Sequence, residues 1–278
     1  MELQGRVAIL TGASRGIGVH IARALAEAGA DLALAARSEE KLEAVREELA
    51  ATGRRILVVP TDVADPAARE ALVRTTEAEL GPVDILINNA GIESAAAYEQ
   101  VDHAEIDRFI AINLAAPMHL VRLVLPGMLE RDRGHIVNVS SIAGVGPTPF
   151  GAPYAATKHG LVGFTKSLRA TSKFSGSKVS ASTICPGYVR DVGMYQQMQD
   201  DGAERAGFLL GTSPPEAVSA AVVRAIRKDL PDVLVNPGFP RAMFALMLLF
   251  PRFGEWVALR TGAYDVQATA AGARGRGR

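Results

Sequence analysis

Seven short runs of nearly unbroken apolar residues recur along this chain, at 6–12, 31–37, 55–63, 83–91, 135–141, 179–187 and 232–238. A strand that is apolar at every position, not at every second one, is covered on both faces, as in a parallel sheet between two layers of helices. The stretches between the runs have helical periodicity and recognisable ends. Ser38 precedes "EEKLEAVREELAATG", which closes at Gly53, and Asp65-Pro66 opens a second such stretch that closes at Gly81. Strict alternation predicts an α/β fold, a doubly wound parallel sheet in one domain over residues 1–238.

Charge and cysteine content narrow the functional classes. Thirty basic and thirty acidic side chains cancel, so nucleic acid is not expected as a partner. A single cysteine, Cys185, excludes an internal disulfide and fits a reducing compartment. The opening "MELQGRVAIL" has no basic segment leading into a long apolar run, so a cytoplasmic protein is expected. His20, His103, His119, His135 and His159 are scattered, without the spacing of a metal site, and no metal is expected.

The first apolar run leads into "TGASRGIG" (11–18) and then a helical pattern through about Ala28. A glycine-rich turn between strand and helix lets backbone amides approach a pyrophosphate at the positive helix end. The spacing, Gly12-x-x-x-Gly16-x-Gly18, is also compatible with plain loop geometry, but its place inside a β-α-β unit favours a dinucleotide. At the end of the second run Ala36 stands where an NAD site places an acid, followed by Arg37, and Arg15 lies within the glycine turn. Two guanidiniums and no carboxylate favour the 2′-phosphate of NADP, with NAD as the alternative.

Together with "NNAG" (88–91), Asn113, "VNVSS" (137–141), "YAATK" (154–158) and "PG" (186–187), this turn resembles the short-chain dehydrogenase/reductase family. The motifs run in order through residues 5–187. The resemblance is looser over 188–238, and 239–278 lies outside the family's common core. It implies a Rossmann-type sheet of about seven strands in the order 3-2-1-4-5-6-7, a homodimer or homotetramer, and NAD(P)-dependent oxidoreduction of an alcohol or carbonyl. It further implies that Tyr154 is the acid/base, that Ser141 holds the substrate oxygen, that Lys158 holds the nicotinamide ribose and that Asn113 fixes a proton-relaying water. The cofactor contacts it implies are Gly12, Ser14, Arg15, Gly16, Ile17, Gly18, Arg37, Asp62, Val63, Asn89, Ala90, Gly91, Pro186, Gly187 and Val189, besides Tyr154 and Lys158. Where the family often has threonine after "PGxVx", this chain has Asp191, which caps the next helix, is offset by Arg190 or sits on a displaced loop.

Tyr154 and Lys158, at i and i+4, share one helix face. Half-ionising a phenol of pKa about 10 at neutral pH requires roughly 4 kcal/mol. An ammonium about 4 Å away contributes on that order at an effective dielectric near 20. The expectation is a phenol made more acidic by its lysine. A dinucleotide sensor without chemistry has no need of Ser141, Tyr154 and Lys158 together.

Two segments remain. Residues 192–213 occupy the place of a substrate-covering lid, and Met194, Tyr195, Met198, Phe208, Leu209 and Leu210 are either its apolar lining or ordinary buried helix faces. The extension 239–270 contains an apolar run, 242–250, far short of a bilayer span and flanked by Arg241, Arg252 and Arg260. It fits a membrane surface, a partner subunit or a wall of the substrate cleft. A lipophilic carbonyl or alcohol is the expected substrate, and 271–278 reads as a disordered basic tail.

Overall fold

In the computed structural model, which describes residues 1–204, 206, 211–238, 240–260 and 264–272, every position of β1 (Val7–Thr11) is buried, as an all-apolar run requires. The chain continues through α1 (Ile17–Glu27), β2 (Asp31–Ala36), α2 (Glu39–Leu49), β3 (Ile56–Pro60), α3 (Pro66–Glu79) and β4 (Ile85–Asn88). Helices α4 (His103–Ile110) and α5 (Ala116–Glu130) are joined by one π-helical turn, Ala111–Ala115. Then come β5 (His135–Val139), α6 (Ala152–Phe174), β6 (Ser180–Pro186), β7 (Tyr188–Val189), α7 (Gly193–Asp200), β8 (Thr212–Ser213), α8 (Pro215–Lys228) and β9 (Asp232–Val235). Three helices close the chain: α9 (Pro240–Leu249), α10 (Pro251–Arg260) and α11 (Asp265–Ala270).

Seven strands form one parallel sheet in the order β3-β2-β1-β4-β5-β6-β9, with registers such as Val7↔Asp31 and Ala8↔Ile85. This is the expected order. The last strand is numbered nine only because β7 and β8 pair separately as a two-residue ribbon. Strand order reverses between β1 and β4, so the connections after these strands part and leave a crevice at their carboxyl ends. The same divergence shortens the expected strand 83–91, while the expected strand 55–63 ends at Pro60 on the sheet edge. Beyond Asn88 the amides of Asn89 and Ala90 bond to the Thr11 hydroxyl instead of a ladder partner.

Alternate side chains of each strand feed two cores. Ala8, Leu10, Leu32, Leu34 and Ile87 pack with α1, α2 and α8, while Ile9, Ala33, Leu86 and Ile136 pack with α3 and α5. Each fully buried leucine or isoleucine contributes about 1.5–3 kcal/mol. The helix starts act as their sequences require: Ser38 Oγ accepts from Lys41 N at 3.4 Å, and Asp65 Oδ1 from Ala67 N at 2.9 Å with Pro66 at the first helical position. The helical stretch 103–130 is long and apolar enough to cross a membrane by length and composition, yet its Phe109, Leu120, Val121, Val124 and Met128 are buried in this protein's core.

The C-terminal extension folds back onto the domain. A Cβ on Gly146 would lie 2.5 Å from the Phe244 ring, so that ring rests on the loop after β5. The Tyr188 hydroxyl donates to Gln267 Oε1, and Glu204 N donates to Thr269 Oγ1 at 3.0 Å. Residues 273–278 of the basic tail, and Phe208, Leu209 and Leu210 of the expected lid, lie outside the described residues.

Candidate active site

The glycine turn is shaped by what has no side chain. A Cβ on Gly18 would sit 2.0 Å from the Gly12 carbonyl oxygen, and one on Gly12 would sit 2.9 Å from Ala90 Cα. Asn89 Nδ2 holds the turn in place, donating to the oxygens of Thr11 (3.0 Å) and Gly12 (3.1 Å). No side chain caps α1, so its first-turn amides are left for a ligand in the crevice. Gly12, Ser14, Arg15, Gly16, Ile17 and Gly18 line this end of the cleft, with Arg37, Asp62 and Val63 beside them. A pyrophosphate fits such a cradle. Thr11 is buried behind it and ties β1 to the end of β4, its hydroxyl donating to the Ile87 oxygen and accepting from Asn89 N and Ala90 N. The sequence reading passed over Thr11 because a lone hydroxyl at a strand end carries no pattern.

At the other end the structure brings Asn113, Ser141, Tyr154 and Lys158 together from the π-turn, the loop after β5 and the start of α6. Tyr154 is buried, its ring edge-on to Phe109 at 6.5 Å. Ser141 Oγ accepts from Ala143 N at 3.1 Å. Lys158 Nζ donates to the Val139 oxygen at 3.0 Å and lies 5.6 Å from the centre of the Tyr154 ring. Gly91 fits between: a Cβ there would be 3.3 Å from Asn113 Oδ1 and 3.6 Å from Lys158 Nζ. Asn113 Oδ1 accepts from Ile92 N and its Nδ2 donates to Ile92 O, both at 2.9 Å. Its carboxamide clamps the loop after β4, so a water here would fall to the backbone of the π-turn.

The expected acidic phenol is corrected. Burial drives the Tyr154 pKa well above the usual tyrosine range and the charge on Glu93 adds to that, while the hydrogen bond with Ser141 pulls the other way. Loss of hydration outweighs the lysine because the ammonium is turned to a strand carbonyl. Burial also brings Lys158 down to about 8, against the attraction of Glu93. At neutral pH the pair is a protonated phenol beside an ammonium.

Residues 6–203 match the family model described as short chain dehydrogenase. The chain is a short-chain dehydrogenase/reductase. It is 41% identical to the ketoacyl reductase HetN of Nostoc sp. over 84% of this chain and 79% of that protein. Among solved structures, an actinorhodin polyketide ketoreductase with NADPH aligns with TM-score 0.74 and 30% identity, covering 83% of this chain and 95% of the other. A short-chain dehydrogenase/reductase from Burkholderia phymatum in complex with NAD aligns with TM-score 0.79 and 26% identity, covering 92% and 96%.

In this short-chain dehydrogenase the cleft also holds Glu93, two residues past the NNAG motif, which the sequence reading missed although its place in the chain was a signal. Burial raises its carboxyl to about 7 from an ordinary 4.5, with Lys158 drawing it back. A carboxyl with a raised folded-state pKa contributes stability that is present below its unfolded value and lost as pH rises through 7. Glu93→Gln is therefore expected to stabilise the protein by on the order of 1–3 kcal/mol more at pH 8 than at pH 5. Urea denaturation at the two pH values measures this, and a gain independent of pH would remove the argument.

The structure also places α7 of the expected lid segment and the departure at Asp191. Met194, Tyr195 and Met198 of α7 line the cleft, and Gly16 packs so closely on Gly193 that its Cβ would be 3.2 Å from the Gly193 Cα. The Tyr195 ring lies 4.8 Å from that of Tyr188 at a tilt of 39°, and its hydroxyl accepts from Ala206 N at 2.8 Å. Asp191 takes a φ of 65°, is 80% exposed at its side chain and pairs with Arg190 at 3.6 Å. It neither caps α7 nor lines the cleft; Pro186, Gly187, Val189, Val192 and Gly193 do. One face of the extension walls the cleft, through Phe244, Met247, Ala258 and Tyr264.

Proposed function

We propose that this protein reduces the carbonyl group of a lipophilic substrate with NADPH. The observation that carries this is the buried, protonated Tyr154 hydrogen-bonded to Ser141 at the inner end of a cleft walled by Ile92, Ile142, Met194, Met198, Phe244 and Met247. The bound cofactor would supply hydride to the carbonyl carbon. The glycine turn and the amides of α1 hold the pyrophosphate, and the exposed Arg15 and Arg37 meet the 2′-phosphate. Tyr154 then donates its proton to the substrate oxygen as the C=O π bond opens, with Ser141 steadying the developing alkoxide. The Lys158 ammonium stabilises the phenolate left behind, which then regains its proton from solvent through the polar groups around the π-turn. The ketoacyl reductase and the NADPH-bound ketoreductase among the similar proteins support this direction and cofactor, while the NAD-bound neighbour keeps NAD as the alternative.

We place the enzyme in the cytoplasm on its buried, unpaired Cys185, and assign it to a homo-oligomer through the exposed Met118, Leu123 and Leu129 of α5 with Phe174 of α6. The test is oxidation of NADPH against NADH over aldehydes, ketones and 3-oxoacyl thioesters. Arg37→Ala should raise KM for NADPH by roughly 10–100-fold, the worth of a charge-assisted bond, and leave NADH unchanged. Equal KM increases for both cofactors would remove the 2′-phosphate argument.

A further inference from the structure

Six of the twelve large apolar side chains exposed among the described residues lie on two consecutive helices, α9 and α10, and at Phe250, the residue that joins them. They are Leu246, Leu249, Phe250, Phe253, Trp256 and Leu259, with Leu249 74% and Leu259 70% exposed. Leu246, Leu249 and Phe250 fall three and four apart at the end of α9, and Phe253, Trp256 and Leu259 fall three apart along α10, so each helix presents one apolar stripe. The opposite stripe is spent on the protein: Phe244 and Met247 wall the cleft, and Gly254 lets α10 close on α9, where a Cβ would be 3.0 Å from Met247 Cγ. The hairpin is thus held from beneath and carries an apolar ridge outward.

Charge identifies what covers that ridge. Over 240–260 three exposed arginines, Arg241, Arg252 and Arg260, face one acid, Glu255, in a chain whose total charge is zero. Arg260 lies over the Trp256 ring at 5.7 Å, and Phe253 stacks on that ring at 5.9 Å. Aromatic rings at the edge of an apolar stripe, flanked by guanidiniums, match the boundary between acyl chains and anionic headgroups. Each helix has ten residues, about 15 Å, half of a hydrocarbon core of about 30 Å, so the hairpin lies on a bilayer and does not cross it. We propose that the α9–α10 hairpin docks this enzyme on an anionic lipid surface, bringing the cleft wall formed by the same hairpin against the bilayer. The docking does not depend on which carbonyl is reduced.

Trp256 is the chain's one tryptophan, so its emission reports on this ridge alone. Full-length protein is mixed with vesicles of phosphatidylcholine, or of phosphatidylcholine with phosphatidylglycerol, and followed by emission and by co-sedimentation. The expected result is a blue shift and pelleting with the anionic vesicles, weakened by salt. Leu249→Ser with Phe250→Ser should lower partition at least about tenfold, since each buried side chain carries roughly that much. Arg252→Gln with Arg260→Gln should lower it roughly fivefold per arginine, and only on anionic vesicles. None of these four side chains lines the cleft, so activity on a water-soluble carbonyl controls for folding. Unchanged emission with all the protein in the supernatant overturns the proposal. So does a blue shift that rises with protein concentration in the absence of lipid, which would give the ridge to a second copy of the chain.

Discussion

Tyr154→Phe is expected to lower kcat by about 10²–10⁴-fold, the range that a positioned general acid supplies. The change removes one oxygen and little volume. The ring keeps its edge contact with Phe109, and the backbone oxygen of residue 154 still accepts from the Thr157 hydroxyl at 2.7 Å. NADPH affinity should therefore change little, because the glycine turn lies at the other end of the cleft. The pH profile adds a second reading. Reduction needs Lys158 charged and is disfavoured by an ionised Glu93 near the developing alkoxide. With Lys158 brought down to about 8 and Glu93 raised to about 7, the wild-type rate should fall as pH rises through this interval. Glu93→Gln should leave only the later fall. Stopped-flow hydride transfer with the wild type and both variants makes the measurement. A phenylalanine variant within tenfold of wild type would take the proton donor away from α6.

Gly18→Ala is the second large effect, and it comes from a single methyl group. That carbon would be placed 2.0 Å from the Gly12 oxygen, a backbone atom that Asn89 Nδ2 holds in place. The turn must then move by about an ångström, or the start of α1 must tilt. Overpacking of this kind costs about 1–3 kcal/mol of stability. A dinucleotide cradle displaced by that distance should lose at least about 100-fold in affinity, as several amide contacts fail together. The same substitution at Gly163 gives the contrast: its Cβ would meet nothing within 4 Å, in the interior of α6, so Gly163→Ala should stabilise by about 0.5–1 kcal/mol. NADPH fluorescence titration with thermal unfolding separates binding from folding. Retained affinity in Gly18→Ala would mean that the turn is not the pyrophosphate site.

Much of the fold was legible because apolar runs and helix caps are local signals. Ser38 and Asp65 cap the helices they precede, and the strand order followed from a family resemblance resting on motifs at 11–18, 88–91 and 154–158. Thr11 was not legible, since a lone hydroxyl at a strand end carries no pattern, whereas Glu93 was marked only by its place two residues past the NNAG motif. The acidity of Tyr154 was misjudged for a physical reason. Spacing along α6 shows that Lys158 shares its face, but not that the ammonium turns to the Val139 carbonyl, nor how much water the phenol has lost.

The division between sequence and structure follows range. The sequence alone determined the alternating sheet, the glycine turn, the tyrosine–lysine pair and the missing acid at Ala36, because each depends on residues a few positions apart. Tertiary structure alone decided where the extension lies, that Asp191 faces solvent, that Asn113 clamps Ile92, and that a carboxyl sits beside the reacting groups. Those outcomes join segments from 20 to over 100 residues apart, and the hydration of a buried charge depends on everything packed around it.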